Sequence, residues 1–227
     1  MRISVVIPAY NEEKYIQACL ESLMKQTKKP FEILVVDNNS TDDTAKIAES
    51  FDGVTVINAK VQGITPTRNA GFNAAKGDII ARTDADTTVP TDWIEQIERL
   101  FTQNAVDAVS GPAIYYDSPI KSDVFIKFFF WMSKLLFGHP ILLGPNTAIT
   151  SDTWQEVKKI TCPNDSKVHE DLDLSIHIAR TGRKIYYDSS LIVKCSARRI
   201  LHRPQSFFIE YTLRYFKMIL YHFLNHE

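Results

Sequence analysis

The feature that most constrains the fold is an alternation of short apolar runs with helical patterns through the first half of the chain. The apolar runs are ISVVIP, FEILVVD, VTVIN and GDIIAR, and the helical patterns between them are EEKYIQACLESLMKQ, TDDTAKIAESF and PTRNAGFNAA. Strands that alternate with crossover helices form a parallel sheet with helices on both faces. The sequence therefore predicts an α/β fold.

The 227 residues are expected to form a single domain, because the sequence contains no repeat, no low-complexity tract and no linker. The pattern changes at about Val106. We therefore divide the domain into a nucleotide-binding half (1–105), a half that could hold an acceptor and catalytic residues (106–204) and a C-terminal helix (205–227).

Capping signals predict where two helices begin. Ser40, with Asp43 three residues later, has the pattern of a capping box. Thr65 is expected to cap a helix whose first position is Pro66.

Composition excludes several classes of protein. Lys and Arg together number 26 and Asp and Glu 27, so the charge balance does not suggest a nucleic-acid partner. The three cysteines are widely spaced with no C-x-x-C pair, which implies neither a disulfide framework nor a zinc knuckle and favours a reducing compartment. The N-terminal MRISVVIPAYNEE has too short an apolar run for a signal peptide. We therefore expect a cytoplasmic protein.

Polar clusters follow three of the predicted strands, at Pro8–Glu12, Asp37–Asn39 and Asp84–Asp86. In open α/β sheets ligands bind outside the carboxyl ends of the strands. Asp84 and Asp86 form a D-x-D segment and would share one side of an extended chain, where two carboxylates repel each other unless a cation lies between them. The pattern favours a metal ion, although Asp and Thr also favour loops and so short a motif can arise by chance.

Several kinds of nucleotide site are excluded. The chain has no G-x-G-x-x-G and no G-x-x-x-x-G-K-[ST] segment, so it is neither a Rossmann dehydrogenase nor a P-loop NTPase. Glu12 and Glu13 follow the first strand and would repel a polyphosphate there. Phosphates could still lie at Asp84 and Asp86 if a divalent ion bridges them, which suits a diphosphate leaving group.

Five segments in order resemble the family 2 inverting glycosyltransferases of the GT-A fold, over about residues 3–190. They are VVIPAYNEE, ILVVDNNSTDDT, TPTRNAGFNAAKGDIIARTDADT, GPNTAI and HEDLDLSIHIARTG. The resemblance implies a Rossmann-like, mostly parallel central sheet flanked by helices. It also implies a nucleotide-sugar donor and a divalent metal ion, Mn²⁺ or Mg²⁺.

The resemblance further implies roles for individual residues. Asp86, with Asp84, would bind the metal, and Asp171 would be the catalytic base with Glu170 beside it. Asn146 would face the donor sugar and the acceptor, and Trp93 lies close enough to the D-x-D segment to be an acceptor contact. The donor-binding residues would be Pro8, Ala9, Tyr10, Glu12, Asp37, Arg68 and Asp84.

The physical chemistry of inversion supports these roles. A single displacement needs one base for the acceptor proton and one cation for the charge on the departing diphosphate. Asp171 would lie in the first turn of a helix whose apolar residues Leu172, Ile176 and Ala179 face inward, so its carboxylate can face the cleft. The helix dipole would favour its ionised form.

Each role also has a structural alternative. Glu12 could be part of a capped first turn, and Glu170 with Asp171 could be the same device on a later helix. Arg68 could be a solvated helix residue, and Trp93 could belong to the core.

The segment SARRILHRP gathers basic residues near the C-terminus. His202 could be an additional metal ligand, as a C-terminal histidine is in some GT-A enzymes. Arg198, Arg199 and Arg203 could instead bind the diphosphate or a lipid phosphate.

Two stretches rich in aromatic residues are predicted to form amphipathic helices. The first, Val124–Leu143, is interrupted by two lysines and ended by Gly138 and Pro140, so it is not expected to span a bilayer. The second begins at about Gln205. Such helices can lie in a membrane interface or pack in a homodimer, and both alternatives stay open.

The predicted function is metal-dependent, inverting transfer of a sugar from a nucleotide-sugar, with UDP favoured, to a hydroxyl of a glycan or lipid-linked glycan. A polyprenyl phosphate is already anionic and needs no base, so the pair Glu170 and Asp171 favours a hydroxyl acceptor. The alternatives are a polyprenyl-phosphate glycosyltransferase and a catalytically silent nucleotide-sugar-binding subunit. The enzyme would act at the cytoplasmic face of a membrane, as a peripheral protein if its helices contact lipid.

Overall fold

A computed structural model describes residues 1–118, 123–165 and 167–198, together with positions 213, 215, 217, 218 and 222. Within 123–129 it describes the backbone alone. The predictions for His202, Arg199 and Arg203, and for most of the helix expected from Gln205, lie outside the described residues.

The described strands form two sheets. In chain order they are β1 (Ile3–Ala9), β2 (Glu32–Asp37), β3 (Val54–Asn58), β4 (Ile79–Arg82), β5 (Thr87–Thr88), β6 (Ala108–Ser110), β7 (Ala113–Tyr115), β8 (Thr147–Thr150), β9 (Ile185–Tyr187) and β10 (Val193–Cys195). A seven-stranded sheet has the order β3-β2-β1-β4-β8-β6-β9, and a three-stranded sheet has the order β5-β10-β7. In the large sheet β8 runs antiparallel to β4 and β6, and the other neighbours are parallel. The predicted mostly parallel sheet is confirmed.

Helices connect the strands and cover both faces of the large sheet. They are α1 (Ile16–Met24), α2 (Thr44–Glu49), α3 (Ile64–Ala74), α4 (Trp93–Asn104), α5 (Asp123–Phe137), α6 (Ser151–Val157) and α7 (Glu170–Arg180). A short 3₁₀ turn, Gly144–Asn146, immediately precedes β8. The first three helices lie where the sequence patterns predicted them.

Alternate residues of β1 contribute to two separate hydrophobic cores, as expected for a strand that is buried on both faces. Val5 belongs to the core that contains Leu20 of α1 and Ile97 of α4. Val6 belongs to the core that contains Phe72 of α3. The second core also holds Trp154 and Leu174, so α6 and α7 pack on the same face as α3.

The close packing of α3 on the sheet explains a glycine within this helix. A Cβ atom added at Gly71 would lie 2.8 Å from Val36 Cγ2 and closer still to Val6 Cγ1. Only glycine allows the helix to approach β1 and β2 so closely.

The sheet register places the three predicted polar clusters at one edge. β1 lies between β2 and β4, and Ala9 at its end pairs with Asp37 at the end of β2. Val6 pairs with Arg82, the last residue of β4. The segments that follow these three strands therefore meet at the carboxyl edge of the sheet.

The predicted capping box at the start of α2 is wrong. The Ser40 backbone N–H donates to the Asp37 carboxylate, 3.2 Å from Oδ2, and the residue preceding α2 is Asp43, whose side chain makes no capping bond. Asp42 accepts a hydrogen bond from the Thr44 N–H at 3.0 Å instead. The N–H at the start of α2 is thus bonded by an Asx-type contact over two residues rather than by a capping box over three.

The predicted N-cap of α3 is also wrong, because the helix begins earlier than Pro66. Its N-cap is Gly63, and Thr65 lies within the first turn. The Thr65 N–H donates to Asp165 Oδ1 at 3.0 Å, so a residue distant in sequence satisfies this helix terminus.

Helix α5 ends at Phe137, before Gly138, whose φ is +77°. Gly138 thus stops the helix where the sequence predicted. Trp131, Leu135 and Leu136 are 59%, 67% and 52% exposed, so part of this helix presents an apolar surface. Within the described part of the chain, no helix combines the length and the apolar character needed to cross a membrane.

Candidate active site

Arg82, the last residue of β4, lies between three carboxylates at the carboxyl edge of the sheet. Its Nη2 donates to Asp84 Oδ1 and its Nη1 to Asp171 Oδ1, each at 3.1 Å. Nη1 also contacts Glu170 Oε1. Burial alone would lower the pKa of Arg82, but the three carboxylates raise it well above its ordinary value, so the side chain stays charged.

Glu170 is a buried anion held by two arginines. Its Oε1 contacts Arg82, and its Oε2 lies 2.5 Å from Arg68 Nη1. Burial opposes ionisation of Glu170, but Arg82 and Arg68 outweigh this effect and lower its pKa below the usual range. Glu170 is therefore a fixed counter-charge rather than a proton carrier.

Arg68, which was predicted to bind the donor, is enclosed by other residues in this structure. Its side chain is fully buried and donates from Nε and Nη2 to Asn69 Oδ1, at 3.1 and 2.9 Å. Its Nη1 also donates to the Glu170 backbone carbonyl at 3.1 Å, and its guanidinium lies 5.8 Å from the Trp154 ring centroid. Arg68 therefore holds both the side chain and the backbone carbonyl of Glu170 in place.

Asp171 lies in the first turn of α7 with its carboxylate facing the sheet edge. Oδ1 accepts from Arg82, and Oδ2 accepts from the Gly144 N–H at 2.8 Å. Burial and the neighbouring charge of Glu170 raise the pKa of Asp171 well above its ordinary value, although Arg82 opposes this shift. A carboxylate with a raised pKa is a better proton acceptor near neutral pH than an ordinary aspartate.

The backbone at Gly144 leaves no room for a side chain. A Cβ atom there would lie 2.8 Å from Arg82 Nη2 and 2.9 Å from Asp171 Oδ2. The glycine therefore lets the backbone N–H approach the Asp171 carboxylate directly.

The alternative in which Glu170 and Asp171 merely cap α7 does not fit their contacts. The N-cap residue is His169, and no side-chain capping bond is made there. The carboxylates instead contact Arg82, Arg68 and the Gly144 N–H, which belong to other parts of the chain.

The D-x-D segment follows β4 and turns away from the strand. Ala85 is buried, whereas the side chains of Asp84 and Asp86 are 26% and 12% exposed, so the two carboxylates flank a buried residue. Burial, followed by the charges of Asp86 and Asp84, raises the pKa of the Cys19 and Cys195 thiols. The negative charge at this place favours a cation.

Arg198 supplies a positive group to the same acidic edge. Its Nε donates to Asp86 Oδ2 at 3.2 Å, and its Nη2 contacts Glu12 Oε1. The guanidinium also lies 4.4 Å from the Tyr15 ring centroid. Because carboxylate oxygens of Glu12 and Asp86 already converge on a cation, the residues present fit a divalent ion bound at the D-x-D segment.

The expected donor-binding residues lie around this edge. Pro8 and Ala9 are the last two residues of β1, and the side chain of Tyr10, which follows, is 48% exposed. Glu12 and Asp37 are 7% and 5% exposed. The structure therefore brings the ends of β1 and β2 close to the D-x-D segment, as the sequence predicted.

Asn146 and Trp93, which were predicted to contact the acceptor, lie inside the core of this structure. Both are 0% exposed. Asn146 Oδ1 accepts from Trp93 Nε1 at 3.0 Å, and Asn146 Nδ2 donates to the carbonyls of Pro112 and Leu191 at 3.2 and 2.6 Å. Because all these groups are satisfied inside the core, the two residues hold the 3₁₀ turn and α4 together.

Sequence reasoning missed two residues of this site, Arg82 and Gly144. Arg82 had a usable signal, because a charged residue ends the apolar run GDIIAR two positions before Asp84. Residues two apart in an extended chain share a side, so Arg82 and Asp84 could have been paired. Gly144 had no comparable signal in the sequence, because its role is to contact Asp171, and α7 lies far from it along the chain.

Comparisons with known proteins agree with this architecture. The family description "Glycosyl transferase family 2" matches residues 4–158, which is more than half of the chain. The glycosyltransferase GlyG of Streptococcus pneumoniae is 35% identical over 120 residues, which are 51% of this chain and 40% of GlyG. The chain thus spans less than half the length of that relative.

Two solved structures share the fold. Residues 1–349 of Staphylococcus aureus TarS in complex with UDP-GlcNAc superpose with a TM-score of 0.71 at 22% identity, covering 87% of this chain and 59% of that one. The mannosyltransferase PcManGT of Pyrobaculum calidifontis, in complex with GDP-Man and Mn²⁺, gives a TM-score of 0.66 at 22% identity, covering 85% and 56%. The fold is therefore GT-A, and the chain belongs to glycosyltransferase family 2.

Proposed function

We propose that the protein transfers a sugar from a nucleotide-sugar donor to an acceptor hydroxyl by a single, inverting displacement. The observation that carries the proposal is the position of Asp171. Its carboxylate has a raised pKa, and Arg82 links it directly to Asp84 of the D-x-D segment. A base and a donor site are thus joined through one side chain, as a single displacement requires.

Asp171 is the proposed base. The Gly144 N–H and Arg82 fix one oxygen each, so the carboxylate has a defined orientation when an acceptor hydroxyl approaches. Glu170 stays ionised between Arg82 and Arg68, and its charge keeps Asp171 receptive to a proton. Glu170 is thus a positioning residue.

Asp86, together with Asp84, would hold Mn²⁺ or Mg²⁺. When bound, such an ion stabilises the negative charge on a departing diphosphate. Arg198 would then have to leave Asp86, because a guanidinium and a divalent ion compete for the same carboxylate. Once released, its forked donors could bind a diphosphate oxygen.

The donor is proposed to be UDP-linked, with a GDP-linked sugar as the competing candidate. TarS was solved with UDP-GlcNAc and PcManGT with GDP-Man and Mn²⁺. The nucleobase of the donor would be recognised near Asp37 and the end of β1, where Ala9 and Asp37 lie side by side.

The acceptor is proposed to be a glycan or lipid-linked glycan at the cytoplasmic face of a membrane. A hydroxyl acceptor needs a base, and Asp171 is available for that role. The exposed Trp131, Leu135 and Leu136, next to the exposed Lys134, give α5 a surface suited to a membrane interface. A polyprenyl-phosphate acceptor and a catalytically silent subunit are the competing possibilities.

Calorimetric titration tests the donor site. UDP and GDP are titrated into the protein with Mn²⁺ and with chelator, and into Asp86→Ala, with Asp152→Ala as a control because this exposed acid lies in the first turn of α6. We expect metal-dependent binding of one nucleotide, lost in Asp86→Ala and kept in Asp152→Ala. Absence of binding for both nucleotides would overturn the proposed donor site.

Activity then tests the base. Asp171→Asn should bind the donor nucleotide normally but transfer sugar about a hundredfold to ten-thousandfold more slowly, the usual contribution of general base catalysis. Asp152→Asn should transfer at the normal rate. An unchanged rate in Asp171→Asn would exclude Asp171 as the base.

A further inference from the structure

A second cluster of possible metal ligands lies on α7, on residues that the proposed transfer does not use. Asp173 and His177 are one helical turn apart, and His222, near the C-terminus of the chain, lies beside them. One ligand atom from each of the three lies within 4.8 Å of the others. We infer that Asp173, His177 and His222 bind a transition-metal ion, with Zn²⁺ as the preferred metal.

The contacts of His177 point to a missing ligand. Its Nε2 is buried and makes no hydrogen bond within the described part of the chain, although Asp173 Oδ1 lies 3.5 Å away. This contact is long for a hydrogen bond, and a metal ion bound to both atoms would replace it with two stronger bonds. His222 Nε2 lies 2.9 Å from the same oxygen, so all three ligand atoms already surround one point.

The carboxylate of Asp173 is held as a metal-ligating carboxylate usually is. The residue is 1% exposed, and its second oxygen accepts from the Cys162 N–H at 2.8 Å. Such a bond fixes the orientation of a ligand and leaves the first oxygen for the metal.

The ligand types separate this site from the D-x-D segment. Two imidazoles and one carboxylate are a common set for Zn²⁺, with a tetrahedral position left for water. The D-x-D segment offers carboxylate oxygens alone, which suit Mg²⁺ or Mn²⁺. The two sites should therefore prefer different ions.

Metal binding requires Arg180 to give up one of its contacts with His222. Its Nη1 lies 3.4 Å from His222 Nδ1, so in this structure Nδ1 is the acceptor and Nε2 carries the proton. A metal bound at Nε2 moves that proton to Nδ1, and Arg180 Nη1 must give up its contact. Its Nη2 can keep the bond to the His222 carbonyl, which is 3.0 Å long. Metal binding would thus join His222 to α7 more firmly than the present hydrogen bonds do.

Zinc titration of the Asp86→Ala variant tests the inference, because this variant lacks the D-x-D ligand. We expect one Zn²⁺ per chain by calorimetry and by elemental analysis after dialysis. His177→Gln should bind Zn²⁺ at least about a hundredfold more weakly. His139→Gln is the matched control, since His139 is half-buried and lies near His222 around the same cavity.

Two further readouts keep the test independent of folding and of transfer. Bound Co²⁺ should give the intense visible absorption of four-coordinate cobalt, and His177→Gln should lose it. Zn²⁺ should raise the melting temperature of Asp86→Ala and of its His139→Gln derivative, and leave that of its His177→Gln derivative unchanged. Variants are compared by circular dichroism in chelator.

Three results would overturn the site. Absence of bound Zn²⁺ in Asp86→Ala would leave the cluster a hydrogen-bonded group without a metal. Equal affinity in its His177→Gln derivative, or loss of binding in its His139→Gln derivative, would show that Zn²⁺ binds through other ligands. None of these results bears on donor binding, which is measured separately.

Discussion

Arg82 connects the two chemical parts of the candidate site. Its guanidinium contacts Asp84, in the proposed donor site, and both Glu170 and Asp171, the proposed base. A planar group with several fixed donors can hold these carboxylates in a constant arrangement, which a lysine with its single charged nitrogen cannot do. One residue of β4 therefore fixes the distance between the D-x-D segment and Asp171, the proposed base.

The pH dependence of transfer should report Asp171. The carboxylate accepts a proton only when ionised, so the rate must fall as the pH is lowered through its pKa. Burial and Glu170 place that pKa well above the ordinary 3.8, so the loss occurs at higher pH than for an unperturbed aspartate. A profile of kcat/KM against pH measures it.

Glu170→Gln provides the matched comparison for that profile. It removes the neighbouring negative charge and leaves Arg82 to stabilise the ionised Asp171, so the acidic limb should move to lower pH. Circular dichroism verifies folding, because the change also leaves the buried Arg68 without its carboxylate. An unmoved limb would show that a different group controls the rate.

Gly144→Ala should disturb the proposed base, Asp171, and the arginine that contacts it. The added methyl would lie within 3 Å of both Arg82 Nη2 and Asp171 Oδ2, so the hydrogen bond from the Gly144 N–H must lengthen or break. We expect kcat to fall by about tenfold or more.

A double-variant cycle checks this explanation. In the Asp171→Asn background the alanine at position 144 should have little further effect, because both changes act on one carboxylate. If the two changes instead lowered kcat independently, so that their effects multiplied, Gly144 would not act through the Asp171 carboxylate.

At the scale of elements, the contact of α3 with β1 and β2 limits the sequence most tightly. Gly71→Ala should lower the free energy of unfolding by about 1–3 kcal/mol, because the methyl overlaps Val6 and Val36. Urea denaturation measures the loss. Adding Val6→Ala should give a double variant more stable than the sum of the single changes, whereas strict additivity would exclude the steric explanation.

The elements themselves could be predicted because their signals are local. The runs ISVVIP and VTVIN are strands almost to the residue, since β-branched side chains and flanking polar residues mark them. The environment of Arg68 could not be predicted, because its partner Glu170 lies 102 positions away. The same holds for Asn146, whose partners Trp93 and Leu191 belong to remote segments. The motifs indicated which residues lie near the edge of the sheet. They did not indicate which of these residues are buried by the rest of the chain.

At the scale of the whole molecule, the apolar surface of α5 should bind membranes. The double change Trp131→Ser and Leu135→Ser should weaken binding to anionic lipid vesicles at least about tenfold, because each exposed side chain contributes about 1.5–3 kcal/mol when buried. Flotation with vesicles measures it.

Ile160→Ser is the control for that experiment, since Ile160 is 48% exposed and lies outside α5. Equal flotation of the double variant and the original protein would contradict membrane contact by this surface. The alternative is that this surface forms a homodimer, which sedimentation equilibrium on the same variants tests. Loss of a dimer in the double variant would assign the surface to contact with a second copy of the chain.

The direction of β8 has a consequence for how the site tolerates change. Because β8 runs opposite to β4, the turn that begins it lies at the edge where β4 ends, and Arg82 pairs with Thr147. A slip of one residue between these strands would shift Gly144 by about 3.3 Å relative to Arg82. The hydrogen bond to Asp171 could not survive such a shift. Strand alignment deep in the sheet therefore sets the geometry around the proposed base, and we expect substitutions that loosen it to reduce turnover before they unfold the protein.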